Sequence, residues 1–165
     1  MRSVVGALLA LRLTGAGLTA AMAGIHAYLW GEGYGNLETI GELFLVNAIV
    51  GGLLAVALLV TGVRLLTWVA GVGALFTAGT LAALVLSLTT GLFGFTESVD
   101  APWVTTTLAV ESAGTVALAA LVPMARLSRA VTARRGGGRS GSTGPVGGGA
   151  PTAASRAPGR GKPWP

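Results

Sequence analysis

The sequence predicts an all-α, polytopic membrane protein, an antiparallel four-transmembrane-helix bundle followed by a disordered basic C-terminal tail. Three observations lead there. About half of the 165 residues are apolar and only a tenth are charged, with mean hydropathy +0.73, whereas soluble domains carry about 25% charged residues. Four apolar runs each reach the roughly 20 residues a helix needs to cross a bilayer. Arginines recur at alternate flanks of those runs and nowhere at the others.

The first span is read at about 4–30, the second at 39–61, the third at 65–93 and the fourth at 103–125, forming one transmembrane domain over residues 1–125. The connections are short, which makes sequential helices antiparallel neighbours. Arg2, Arg64 and the run Arg126, Arg129, Arg134 and Arg135 fall on one side of a four-span topology, while the opposite loops hold Glu32, Glu38, Glu97 and Asp100. The positive-inside rule then puts both termini in the cytoplasm of a bacterial plasma membrane. Ala21-Met22-Ala23 imitates a signal cleavage site. Arg12 interrupts that apolar stretch, however, and the hydrophobic pattern runs on to Trp30, so the segment is read as a retained helix.

Small residues at four-residue spacing mark stripes for close helix approach: Ala16, Ala20 and Gly24 on the first span, and Gly71, Ala74, Ala78 and Ala82 on the third. Beyond Pro123 the character changes. From Arg126 to the end there are eight basic residues and no acidic one, amid Gly, Pro, Ser and Ala. Such a stretch buries too little apolar surface to offset its ordering entropy, so 126–165 is expected to be a disordered cytoplasmic tail. Its charge suits anionic lipid. With one terminal aromatic, Trp164, and no folded module beside it, it does not read as a nucleic-acid binder. The expected partners are the bilayer itself, a membrane protein or a second copy.

Ionisable groups within apolar spans carry the functional expectation, because hydrocarbon makes them costly. Arg12 lies roughly 12 Å from the inner face and Glu111 roughly 12 Å from the outer face. Across a core of about 30 Å their depths differ by roughly 6 Å, a gap a long side chain closes. The sequence therefore suggests an Arg12–Glu111 pair, with Asn47 as hydrogen-bond partner. His26, the only histidine, lies one turn inside the outer end of the first span, and Glu42 one turn inside the start of the second. These two are expected to meet at the outer mouth, as a proton relay or half a metal site. His26 follows Arg12 by fourteen residues, about four turns, which puts both on one inward face. Tyr28, Trp30, Tyr34, Phe93, Phe95 and Trp103 gather at the same boundary as an aromatic belt.

Cysteine is absent, which removes disulfides and thiolate chemistry. A single histidine cannot supply bis-histidine haem ligation. No phosphate-loop, dinucleotide-binding, zinc-protease or nucleophile-elbow motif occurs, and a carboxylate di-metal bundle needs more intramembrane Glu and His. No catalytic residue, cofactor or metal is assigned.

The stretches Gly24-Ile-His26-Ala-Tyr28-Leu-Trp30, Ile40-Gly41-Glu-Leu-Phe-Leu-Val-Asn47 and Gly91-Leu-Phe-Gly-Phe95-Thr-Glu97 resemble those of small, uncharacterised four-helix membrane proteins of actinobacteria. In topology, and in its intramembrane Arg, His and Glu, the chain is also similar to the DoxX-like family. That resemblance implies an accessory subunit of quinone-coupled sulfur oxidation. Three functions follow as expectations: a non-enzymatic accessory or structural membrane subunit, a small transporter or proton/metal conductor using His26, Glu42, Arg12 and Glu111, and a DoxX-like oxidoreductase subunit. A cavity reaching from His26 to Glu111 favours the second, and a dry Leu/Ala-filled interior the first.

Overall fold

In hydrocarbon a spanning backbone must satisfy its own hydrogen bonds, and four helices do so here. The computed structural model describes residues 2–137. The helices are α1 (Arg2–Gly31), α2 (Glu38–Val60), α3 (Val63–Thr89) and α4 (Val104–Gly137), with a 3-10 turn at Tyr34–Asn36. All four are long and apolar enough to cross a membrane. One end of the bundle carries Glu32, Glu38, Glu97 and Asp100 and is called the acidic end. The other, where Arg64, Arg126 and Arg129 lie, is the basic end.

Many large apolar side chains point outward, and many of the inward positions are small. Leu53, Trp68, Leu75 and Val116 are exposed, whereas Gly41, Gly51, Ala55, Ala70 and Gly73 are buried. This is the pattern expected where lipid solvates the outside and close packing holds the inside. The interlock is specific. A Cβ at Gly15 of α1 would lie 2.7 Å, and one at Gly73 of α3 3.1 Å, from the Leu118 side chain, so that α4 leucine sits between two glycines. Leu8, Leu58, Leu66, Leu118 and Leu121 complete an apolar core drawn from all four helices at the basic half.

The packed stripe of α1 is Gly15, Thr19, Met22 and His26. Of the expected stripe only Ala16 is buried, while Ala20 and Gly24 are exposed. Steps of four residues advance by 400°, about 40° past a full turn, so a run of them drifts off the face that alternating threes and fours keep. The same drift leaves Gly71, Ala74 and Ala78 half-buried and Ala82 exposed on α3, where the inward row is Leu66, Ala70, Gly73, Thr77, Thr80 and Ser87. Hydroxyls on these rows turn back onto their own helices: Thr19 donates to the Gly15 carbonyl at 2.8 Å and Thr77 to Gly73 at 3.0 Å.

Two expectations need correction. The fourth helix does not stop near 125 but continues through Pro123 to Gly137, so residues 126–137 are helical rather than disordered. Pro123 removes one backbone donor, and the following Met-Ala-Arg-Leu-Ser-Arg-Ala stretch contains good helix formers. The Gly- and Pro-rich composition that signalled disorder belongs to 138–165, which lies outside the described residues. The second correction concerns neighbours. α1 packs closely on α2 and α4, and α3 on α4, but α2 and α3 touch little although only Thr61 and Gly62 join them. The two helices therefore stand together at the basic end and leave a gap towards the acidic end.

The acidic-end connections fold back over that gap. The Tyr34–Asn36 turn lies directly on the first turn of α2, where a Cβ at Gly41 would come within 2.7 Å of the Gly35 carbonyl oxygen. The 90–103 connection uses positive φ at Gly91 and Gly94, and at Trp103 (φ 72), whose carbonyl accepts the Thr107 N–H at 2.8 Å. Gly41→Ala is expected to push the turn off α2 and cost about 1–3 kcal/mol by overpacking. Gly52→Ala, whose added methyl meets nothing within 4 Å, should be tolerated. Detergent melts of the two variants check this.

Candidate functional site

The gap between α2 and α3 is a cavity of about 430 Å³ bounded by all four helices and both acidic-end connections. His26 reaches it from α1, Phe44 and Asn47 from α2, Gly79, Thr80 and Ala83 from α3, and Thr107 and Glu111 from α4. Each lies where its helix turns inward. On α2 the inward row runs Ile40, Gly41, Phe44, Asn47, Gly51, Ala55 and Leu58, and on α4 it runs Val104, Thr107, Glu111, Gly114, Leu118 and Leu121.

Glu111 closes the deep end. It is 1% exposed, and among the described residues neither carboxyl oxygen has a hydrogen-bond partner of good geometry. Thr80, on the same wall, gives its hydrogen to the Thr77 carbonyl at 2.9 Å. The nearest charge-bearing partner is His26, whose Nε2 stands 3.9 Å from Oε1, beyond ordinary hydrogen-bond length. His26 Nδ1 is 3.0 Å from the Met22 carbonyl oxygen, which can only accept, so Nδ1 carries a hydrogen and donates it there. Nε2 is then the position left to hold or lack a proton. With none on either group, an imidazole lone pair would face a carboxylate. One proton, on Nε2 or on Glu111, resolves that opposition, so the pair is built to hold one.

Aromatic rings line the wall towards the mouth. The His26 ring lies 5.0 Å from Phe44, Phe44 stacks on Tyr34 at 4.8 Å, and Tyr34 meets Phe95 at 6.0 Å. Tyr34 also latches the two connections together. Its hydroxyl donates to Glu97 Oε2 at 2.7 Å, while Glu97 Oε1 accepts the Ser98 N–H at 2.9 Å and the Glu97 N–H donates to the Ser87 carbonyl at 2.9 Å. Burial first, then this hydrogen bond and the charge of Glu97, push the Tyr34 phenol from its ordinary 10 up to about 12.

The sequence-derived pairings are redrawn. Arg12 does not reach Glu111. Its Nε donates to the Leu58 carbonyl at 2.5 Å, and its Nη2 to the Leu59 and Thr61 carbonyls at 2.8 and 2.6 Å. The last turn of a helix leaves carbonyls without intrahelical donors and a partial negative charge, and these take up the guanidinium at the end of α2. Glu42 does not meet His26. It is exposed, because the inward face of α2 passes through Gly41 and Phe44 and leaves position 42 outside. Arg12 and His26 do share the inward side of α1, half-buried and buried respectively. Asn47 lies on the cavity wall with Glu111 but makes no hydrogen bond to its carboxyl.

The His26–Glu111 meeting was legible in the helix ends. His26 is five residues from the end of α1 and Glu111 seven from the start of α4, roughly 8 and 10 Å deep. Phe44 and the Tyr34–Glu97 latch were missed. The inward row on α2 carried a signal for Phe44, whereas a contact between two irregular connections leaves no periodic trace. Among the described residues no three His, Asp or Glu side chains converge as a metal-holding group. Compared with protein-family models, curated proteins and solved structures, the chain matches none.

Two predictions follow from these contacts. Arg12→Leu strands the α2 carbonyls and is expected to cost about 2 kcal/mol or more. Its effect should add to that of Glu111→Gln within about 0.5 kcal/mol in a double-mutant cycle of detergent stability, since the residues share no partner. Coupling well above that value would restore the ion pair. For Tyr34, a raised folded pKa means the latch contributes fully below pH 10 and is lost as pH rises through about 12. The phenolate absorbance that disappears on Tyr34→Phe should therefore titrate near 12 rather than 10.

Proposed function

We propose that this chain is a multi-pass plasma-membrane protein that draws a lipid-soluble small molecule from the bilayer into the α2–α3 cavity and passes it on, a small transporter rather than a structural subunit. One observation carries the reading: a largely apolar cavity ends on a buried carboxyl whose oxygens find no hydrogen-bond partner of good geometry among the described residues. Buried polar groups normally have partners, and a packing element would have filled this space with the leucine seen at the basic half. Pockets for organic ligands combine an apolar lining with a few placed polar groups. The position of the mouth supports lateral entry, because exposed Leu43 and Leu75 flank it on α2 and α3, where a bilayer would lie.

The arginines at the basic end support cytoplasmic termini, which sets the cavity in the outer leaflet. The tail's positive charge suits the inner leaflet surface. His26, Glu111 and Asn47 form the polar end of the binding site. Arg12 holds the end of α2, and Glu42 faces headgroups.

The chain's lack of cysteine makes the cavity directly testable. With Ala83→Cys as the only thiol, N-phenylmaleimide should label the protein in lipid nanodiscs. Gly79→Leu should slow that reaction strongly, because a Cβ at Gly79 meets nothing within 4 Å and the side chain has room to fill the cavity. A thiol at Ser98, exposed in the connection outside the spans, should react at an unchanged rate. Equal slowing at both positions, or none at position 83, would contradict an open cavity.

A further inference from the structure

We infer that the molecule taken up is a lipophilic organic cation, and that it exchanges with the proton held between His26 and Glu111. This rests on the cavity reading above and adds the chemical class of its occupant.

Charge supports this first. The titratable groups lining the cavity are His26 from α1, Glu111 from α4, and Tyr34 and Glu97 from the connections. α2 and α3 contribute none, and among the described residues no Arg or Lys reaches the space. Arg12 is held on the α2 carbonyls. An anion would meet two carboxyls and no fixed cation. A neutral molecule would leave the proton where it is and gain nothing from Glu111 beyond a hydrogen bond. A cation supplies the opposite charge that a carboxylate in low dielectric needs.

The lining agrees. The cavity is mostly apolar, and the rings of Phe44, Tyr34 and Phe95 form a connected wall beside His26. Aromatic faces attract cations most strongly where water is displaced. A volume of about 430 Å³ falls in the range of pockets that hold drug-sized molecules.

Balance in charge also holds. Before binding, the pair carries one proton, as imidazole with carboxylic acid or as imidazolium with carboxylate, and its net charge is zero. On binding, the Glu111 O–H bond or the His26 Nε2–H bond breaks heterolytically and the proton leaves to water. The cation then faces carboxylate and neutral imidazole, and the site is again neutral. One proton is released for each monocation bound.

The test uses two ions of the same shape and opposite charge, tetraphenylphosphonium and tetraphenylborate, on the full chain in detergent. Tetraphenylphosphonium is expected to protect Ala83→Cys from N-phenylmaleimide and to release one proton per ion into weakly buffered solution. Both effects should be lost in Glu111→Gln and kept in Glu42→Gln. Retained sensitivity of Ala83→Cys to Gly79→Leu in the Glu111→Gln background shows that the variant still folds. Equal protection by tetraphenylborate, or protection by tetraphenylphosphonium without proton release, overturns cation exchange while leaving the cavity reading intact. Protection by neither ion also overturns it, and the Gly79→Leu response then reports separately whether the cavity reading survives.

Discussion

A carboxyl group in hydrocarbon has to be answered from within the protein, and the placement of Glu111 organises the acidic half of this bundle. Its helix must be close enough to α1 for His26 to stand opposite, which the α1–α4 packing around Gly15 and Leu118 secures. His26 in turn keeps its ring orientation because Nδ1 is tied to the Met22 carbonyl one turn back. Neither contact satisfies the carboxyl oxygens. The fold thus positions a buried charge-bearing pair without sealing it by hydrogen bonds, an arrangement that a purely structural ion pair would gain nothing from keeping.

The two halves of the molecule solve different problems. At the basic half, leucines from all four helices fill the interior, and Arg12 supplies the donors that the end of α2 lacks. That end is where the chain turns directly into α3, through Thr61 and Gly62. At the acidic half Gly79, Thr80 and Ala83 of α3 stand across the cavity from Phe44 and Asn47 of α2. The space between is roofed by the Tyr34–Glu97 latch instead of being packed shut. Dispersion at one half holds the helices together, and the other half is left open.

Much of this is legible in the amino-acid sequence. Helix number, approximate bounds and the identity of the intramembrane polar groups follow from hydropathy and from the small number of charges. The pairings did not follow, for two physical reasons. Depth alone ranks partners along the membrane normal but ignores rotation about each helix, and rotation decides that Glu42 faces out while Phe44 faces in. Likewise, counting only side-chain charges overlooked the carbonyls at the end of α2, whose partial negative charge takes up the guanidinium. The extension of α4 past Pro123 was obscured by averaging a helical dozen residues with the Gly- and Pro-rich stretch beyond them.

The central claim is that His26 faces Glu111 rather than Glu42, and the imidazole nitrogens report on it directly. Nitrogen-15 solid-state NMR of the protein labelled at its single histidine should show a hydrogen on Nδ1. The Nε2 signal should move on Glu111→Gln and stay in place on Glu42→Gln. An Nε2 signal that responds to Glu42→Gln and ignores Glu111→Gln would contradict the account.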